Sequence, residues 1–585
     1  MQTELNEMDN PSHMIGKEGV LRRWQAEISA AEKARGEWLR RGEGVCRRYL
    51  DERSHISEVK RINILWSNVE TLRPALYAHT PVPQVRRRYK DGDPVGRLAA
   101  ELMERALGHA LDRFDFDSLM RSVVQDYLLP GRGQVWLRYN PSFEEVSLPI
   151  EEGGEETNEK FKKVQDERVE VEYLHWKDFL HAPARTWGEV RWVARRAYLG
   201  REALIQRFGR KVGEQVKLDH EPRELMDSLT DKSGYDALKK AAVWEVWDRE
   251  SARVYWICDG YGIAPLDVQD DPLNLENFFP CPRPMTATTT NDSVLPIPDY
   301  VFYQDQAREL DELTQRISLL TKAVKVAGFY ASDNGGHLAN LLSSGENKLV
   351  PVDNWAAFAE KGGVRGMIEY LPLETVVQAM MALQTAREKV KQSIYEVTGV
   401  SDIIRGQSFA SETATAQSIK AKWGSMRLRQ RQSEVERFVR DILRIMAEII
   451  GERFEVERIV KMAGFDPLGY VSMPDREHLD GAMAILSDDG ARSFAIEVES
   501  DSTLMPNDEI EKQSRVAFLA AVGSFFQQSV PMVDRYPQMA PLVAEMMMFG
   551  IRGFKAGRAL EQSFEETLDK LKKMGEERIP EGSGG

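Results

Sequence analysis

The residues best equipped for chemistry in this 585-residue chain do not assemble into a working set. Nucleotide hydrolysis would need a phosphate cradle of the form GxxxxGK followed by Ser or Thr, and no such run occurs. HExxH, which sets two zinc ligands on one helical face, is missing. So is GxSxG, which presents a serine nucleophile on a sharp turn. Nine histidines are scattered; His175 and His181 flank Trp176 at a spacing that fits no zinc signature. Cys46, Cys258 and Cys281 lack CxxC spacing, which argues against zinc and disulfides and fits a reducing compartment. Gly131 and Gly133 precede a strand-like run instead of opening a helix, which closes the dinucleotide reading. Acid pairs such as Asp311 with Glu312 fall on the outer face of an amphipathic helix and read as solvated surface. Arg86, Arg87 and Arg88 invite phosphate contact, yet a triplet in an extended segment is ordinarily a solvated face or a partner for acids. No catalytic residue, metal ligand or cofactor is expected.

Composition narrows the classes further. At 585 residues the chain exceeds what one core usually fills, and 42% hydrophobic residues with 12 Trp can bury substantial cores. The opening MQTELNEMDNPSHMIG is polar, without the apolar centre of a secretory leader, and no run of about 18 apolar residues suggests a membrane span. Basic residues number 78 against 93 acidic ones, a net −15. A protein that grips DNA by its phosphates is usually basic, so a static nucleic-acid binder is disfavoured. A surface past which DNA slides is not.

The elements that would position any site centre on Asp299 to Ile450. Leu310, Leu313, Ile317, Leu320, Val324 and Ala327 recur at steps of three and four, one narrow apolar seam on a helix of about 28 residues, roughly 42 Å long. After Pro372 a second helix keeps the seam through Val376, Met380, Leu383, Val390, Ile394 and Val397, and Gly399 stops it. The Gly-rich segment between them reads as a compact α/β module too small to fold alone. Beyond a polar loop, IIRGQSFAS, Ser411 can cap a third helix reaching Ile450. That helix carries two apolar stripes with a plausible kink at Gly424. One seam per helix buries too little to hold such a stalk alone, so neighbouring copies are expected to shield it.

Around this stalk the chain reads as α+β. Residues 17 to 50 form an amphipathic helix or helix pair, with Trp24, Ile28, Ala31 and Trp38 among its apolar points. Helices follow at about Val59 to Leu76, Pro94 to Arg113 and Phe116 to Leu129, with extended PVPQVRRRY between the first two. A meander of strands runs to about Ile263, interrupted by the polar IEEGGEETNEKFKKVQDE, read as a flexible hairpin tip. Proline-dense residues 264 to 298 read as a linker into the stalk. SFAIEVES reads as a late strand, Asn507 to Lys573 as helical, and PEGSGG as a disordered tail.

Four stretches resemble the portal proteins of tailed bacteriophages, in the right order and over roughly Val20 to Asp508. They are NILWSNVETLRPALYAHTPVPQVRRRY, FYQDQARELDELTQRISLLTKAVKV, IYEVTGVSDIIRGQSFASETATAQSIKAKWGSMRLRQRQ and IEVESDSTLMPNDE. The resemblance implies a portal-like fold: an α/β wing (1–298), stem helices (299–327 and 373–398), a small α/β clip (328–372) and a tunnel loop (399–411). The wing's long helix and return strands (412–502) and a C-terminal helical crown (503–585) complete it. It also implies a homo-oligomeric ring at one capsid vertex of the virion, assembled in the host cytoplasm. Double-stranded DNA would be packaged through it by a separate terminase and later ejected. Its partners would be the terminase large subunit, head-tail adaptors, capsid and scaffolding protein, and no membrane.

The resemblance implies a ring of about twelve copies; stem helices spaced about 10 Å apart would then leave a bore of about 28 Å, wider than a duplex of roughly 20 Å. The bore is expected to be acidic with a few basic points: Lys322 and Lys325 near the clip, and Arg405 with Gln407 and Ser408 in the tunnel loop. The bland reading of the lysines is pairing with acids at a subunit contact. The stem seam (Leu310, Leu313, Ile317, Leu320, Val324, Val376, Met380, Leu383, Val390, Ile394) would be the subunit contact. Two other readings stand beside this one: a ring-forming head-tail adaptor, usually much shorter, and a nucleic-acid-processing enzyme with a coiled-coil arm.

Overall fold

Side-chain periodicity sorts the chain into layers. The computed structural model describes residues 11–52, 60–87, 94–152, 155–220, 239–323, 328–330, 368–370, 373–400, 414–464, 476–487, 494–498 and 516–525, with isolated positions at 360, 527, 528, 543 and 546. Two units result, residues 1–503 and 504–585. The second is described mainly over a helical stretch at 516–525, where Phe518 is buried.

The first unit is mixed α and β. It opens with α1 (Pro11–Tyr49), α2 (Ile64–Leu76), β1 (Pro83–Arg87), α3 (Pro94–Asp112) and α4 (Phe116–Leu128). Then come β2 (Arg132–Gly133), β3 (Val135–Glu152), β4 (Glu155–Tyr173), β5 (Phe179–His181) and β6 (Trp192–Leu199). Short helices α5 (Arg201–Phe208) and α6 (Arg210–Gln215) precede β7 (Ala241–Asp248), β8 (Arg253–Cys258) and β9 (Asp267–Asp270). Next are β10 (Met285–Thr286), β11 (Thr288–Thr290), β12 (Ser293–Ile297) and α7 (Gln304–Ala323). After these lie β13 (Gly328–Tyr330), β14 (Ile368–Tyr370), α8 (Glu374–Thr398), α9 (Ala414–Arg453), α10 (Val456–Met462), α11 (Arg476–Ser487) and β15 (Phe494–Val498).

Strands β5 to β9 form an antiparallel meander in chain order. Trp192, Ala194, Trp244, Val246, Tyr255 and Ile257 point to one face, where they meet Leu21, Trp24, Ile28 and Ala31 of α1. The alternate residues Val193, Val243, Trp247, Val254 and Trp256 join the main core on the other face, as a two-residue period requires. Trp24 stands edge-on to Trp192 with centroids 5.8 Å apart. Residues 17 to 50 are thus one helix, whose buried positions 21, 24, 28, 31, 35 and 38 keep a single face.

The main core is built on the second half of α9. Val435, Phe438, Val439, Ile442, Leu443 and Met446 are all buried there, and the helix packs on α2, α3 and β3. It stays helical through Gly424. The polar insertion forms the far end of a hairpin, as expected: β3 and β4 stay paired out to Glu152↔Glu155. The extended PVPQVRRRY supplies β1, which pairs antiparallel with the distant β15 from Pro83↔Val498 to Arg87↔Phe494. That ladder places Arg86 and Arg87 in a two-stranded sheet; Arg88 lies outside the described residues.

Candidate functional site

The first stem helix begins about one turn later than the expected Asp299. Pro298 is followed by a 3-10 turn at Asp299–Phe302, and Tyr303 is non-helical (φ −133°), so α7 spans 20 residues, about 30 Å. The second stem helix matches its expected bounds. α8 ends at Gly399 in the left-handed region (φ +70°), whose amide donates to the Tyr395 carbonyl at 2.8 Å. The two helices run antiparallel: Thr321 Oγ1 lies 3.7 Å from Met380 Sδ at one end, and Leu310 and Ile394 are buried at the other. Beyond them β13 and β14 pair antiparallel, Gly328↔Tyr370, and close the neck of the clip segment. Apart from Glu360, the rest of that segment falls outside the described residues.

Antiparallel pairing corrects the seam. Leu310, Leu313 and Ile317 of α7 and Val390 and Ile394 of α8 are buried within the single chain. The two seams face each other, and the rooted ends join the wing core through Tyr303, Ala307 and Val400, so neighbouring copies are not needed to shield them. Toward the clip the cover thins. Leu320, Val376, Met380 and Leu383 are half-buried, while Leu319 is 55% and Met381 60% exposed. Val324 lies outside the described residues, as do Lys325, Arg405, Gln407 and Ser408. Lys322 is exposed in the last turn of α7, where a cation complements the helix dipole.

Three polar clamps root the stem. Arg48 of α1 grips Asp311 through both nitrogens, at 2.8 and 3.1 Å, and the Ile62 amide donates to the same carboxylate. Asp311 is therefore no solvated surface acid; its exposed neighbour Glu312 is. Arg431 of α9 pairs with Asp299 at 2.6 Å. Arg427 Nη1 reaches the Val397 carbonyl at 3.1 Å and the Glu396 carbonyl at 3.4 Å, meeting the negative end of α8. These arginines come from two elements, α1 and α9, and hold the arm at Asp299, Asp311 and the C-terminal carbonyls of α8. A cleft of about 890 Å³ opens beside them, with Leu65, Val69 and Val400 among its apolar residues and Thr286, Thr288, Arg185 and Arg283 among its polar ones. A β-carbon at Gly399 would sit 2.8 Å from Arg427 Cδ. Gly399→Ala is expected to cost about 1–2 kcal/mol for the left-handed backbone and to displace Arg427; chemical denaturation at an unchanged midpoint would refute this.

Burial raises the thiol pKa of Cys46 and Cys258 to about 11 each, and that of Cys281 further, so none is primed as a nucleophile. His181 is buried with Nδ1 on the Ala182 carbonyl at 2.9 Å, and burial lowers its pKa to about 4. His175 packs its ring against Tyr173 and Trp176. No group of three or more His, Cys, Asp or Glu among the described residues could hold a metal.

Sequence reasoning missed the charges turned inward: Arg48 and Asp311 at the root, and Arg35 and Arg132 inside the wing. A signal existed for Arg35, which takes a core-facing position of α1 between Ala31 and Trp38. Fold and site together define a mixed α and β body carrying a firmly rooted antiparallel helix arm. No protein-family model matches the chain, and no curated protein matches it either. Among the described residues no helix is long and apolar enough to cross a membrane.

Proposed function

We propose that this chain is the subunit of a tailed-phage portal, a non-enzymatic ring through which a separate terminase drives double-stranded DNA into the capsid. One observation carries the reading. Polar clamps root the arm on the rest of the chain, yet Leu319 and Met381 stay more than half exposed toward its clip end. Contact with the same arm of the next copy would cover them, and a head-to-tail contact repeated around a ring leaves no open end. The sequence resemblance supplies the rest: an arm between wing and clip, and a loop after α8 facing the bore. In this reading the clip meets terminase and later the adaptors, and the wing meets capsid and scaffold.

Negative-stain images of the purified full chain test it. Rings with a central hole wide enough for a duplex are the expected result. A folded monomer in sedimentation at micromolar concentration would sink the ring. Metal-dependent nuclease or ATPase activity in the same preparation would move the reading to a nucleic-acid-processing enzyme.

A further inference from the structure

Two arginines are buried side by side in the wing. Arg35 sits on the core face of α1, 3% exposed, and its Nη1 donates to the Phe179 carbonyl at 2.7 Å. Arg132, on β2 and 1% exposed, donates Nη2 to that same carbonyl at 3.0 Å and to the Trp176 carbonyl at 2.9 Å. One oxygen shared by two guanidiniums makes the cations immediate neighbours. Arg132 lies over the Trp38 ring at 4.3 Å and the Phe179 ring at 5.1 Å, which accounts for its faces but not its edges. Nε and Nη1 of Arg132 and Nε of Arg35 are buried without a hydrogen-bond partner. A guanidinium cannot shed its charge to escape this, because it stays protonated at any ordinary pH.

The acids nearby offset at most one of the two charges. Half-buried Glu32 pairs with Arg35 Nη2 at 3.7 Å, and Asp178 adds negative charge near Arg35, but Arg132 has no ion pair among the described residues. Asp126 already accepts from the Tyr173 hydroxyl at 2.6 Å and the Trp176 amide at 3.3 Å, and forms no ion pair with Arg132. Both arginines line a cavity of about 510 Å³, together with Ala31, Leu180, His181 and Ser293. Exposed Ala34, Arg185, Glu189 and Asp292 also line it, which marks the side open to solvent. Glu189 is tied to the Arg185 amide at 3.1 Å.

Buried charge calls for a counter-charge, and buried donors call for acceptors. We propose that this cavity is a binding site for a small oxyanion of the phosphate class, held between Arg35 and Arg132 as an internal counter-ion of the wing. The chemistry is that of charge-assisted donors on an oxyanion with several acceptor lone pairs. The competing sources of negative charge are Asp292 and Glu189, which line the same cavity.

Titration calorimetry of the full chain with inorganic phosphate, at ionic strength held constant with chloride, tests the site. Saturable binding is expected, with a matching phosphate-dependent rise in melting temperature. Arg35→Gln is expected to weaken it by about tenfold or more while the circular dichroism spectrum stays unchanged. Asp292→Asn should bind phosphate at least as tightly. Absence of phosphate binding in the unaltered chain, or equal affinity in Arg35→Gln, would overturn the proposal. Should Arg35→Gln not fold, crystals of the unaltered chain grown in selenate decide the matter. An anomalous peak between Arg35 and Arg132 supports the site, and an empty cavity or the Asp292 carboxylate in its place refutes it.

Discussion

Leu319→Asp combined with Met381→Asp is expected to leave the chain folded but monomeric under conditions where the unaltered chain forms rings. Both side chains are more than half exposed in the single chain, so their loss removes little internal packing. Asp inside a helix costs up to about 0.7 kcal/mol per site, too little to melt an arm whose root is buried. In a ring the same carboxylates would be pressed against the next copy. Desolvating an unpaired charge costs several kcal/mol, repeated at every contact. At about 1.4 kcal/mol per tenfold, association falls by orders of magnitude at each step. Sedimentation velocity reads the outcome directly, and intact rings from the double variant would remove the stem from the subunit contact. Leu310→Asp provides the contrast: that residue is fully buried within its own chain, so the change should unfold the root instead of dissociating folded copies.

This contrast shows what the sequence could and could not reveal. Periodicity located part of the seam, because Leu310, Leu313, Ile317, Val390 and Ile394 turn inward, whereas Val397 is 43% exposed. It could not name the surface that covers them, since a seam looks the same whether its partner is the next helix or the next subunit. Local rules worked where the cause was local. Gly399 takes the left-handed backbone that ends α8, and Phe494–Val498 forms the strand its alternation predicts. Where the cause was distant they failed. Nothing near Pro83 shows that β1 pairs with a strand some 400 residues later, and nothing near Asp311 shows that Arg48 waits for it. The tunnel-loop residues Arg405, Gln407 and Ser408 rest on resemblance alone, because they fall outside the described residues.

Raising the pH from about 4 to 8 is expected to destabilise the wing through one carboxyl group, Asp126. It lies near the C-terminal end of α4, where the helix dipole disfavours negative charge. Burial raises its pKa from the usual carboxylate value to about 7, against the opposing pull of the Tyr173 hydroxyl, the Trp176 amide and the Arg132 charge. A folded-state pKa above the unfolded one means the folded chain holds the proton more tightly. The stabilisation is complete below the unfolded value near 4 and is lost as pH rises through about 7. His181 works in the opposite sense. Its folded-state pKa is lowered to about 4, so its contribution is present above the unfolded value and fades as pH falls. Burial also raises the carboxyls of Glu172 and Glu245, so the raw pH profile mixes several groups, and the informative quantity is the difference from a variant at each pH. Asp126→Asn keeps an oxygen able to accept from both Tyr173 and Trp176 but cannot ionise. Its stability relative to the unaltered chain should climb by on the order of 2–4 kcal/mol between pH 4 and 8, read from denaturant midpoints at each pH. A gap that stays constant, or that narrows as pH rises, would mean that Asp126 is charged in the folded wing at neutral pH. Arg132 would then hold its counter-charge at Asp126, and phosphate binding between Arg132 and Arg35 would lose its main cause.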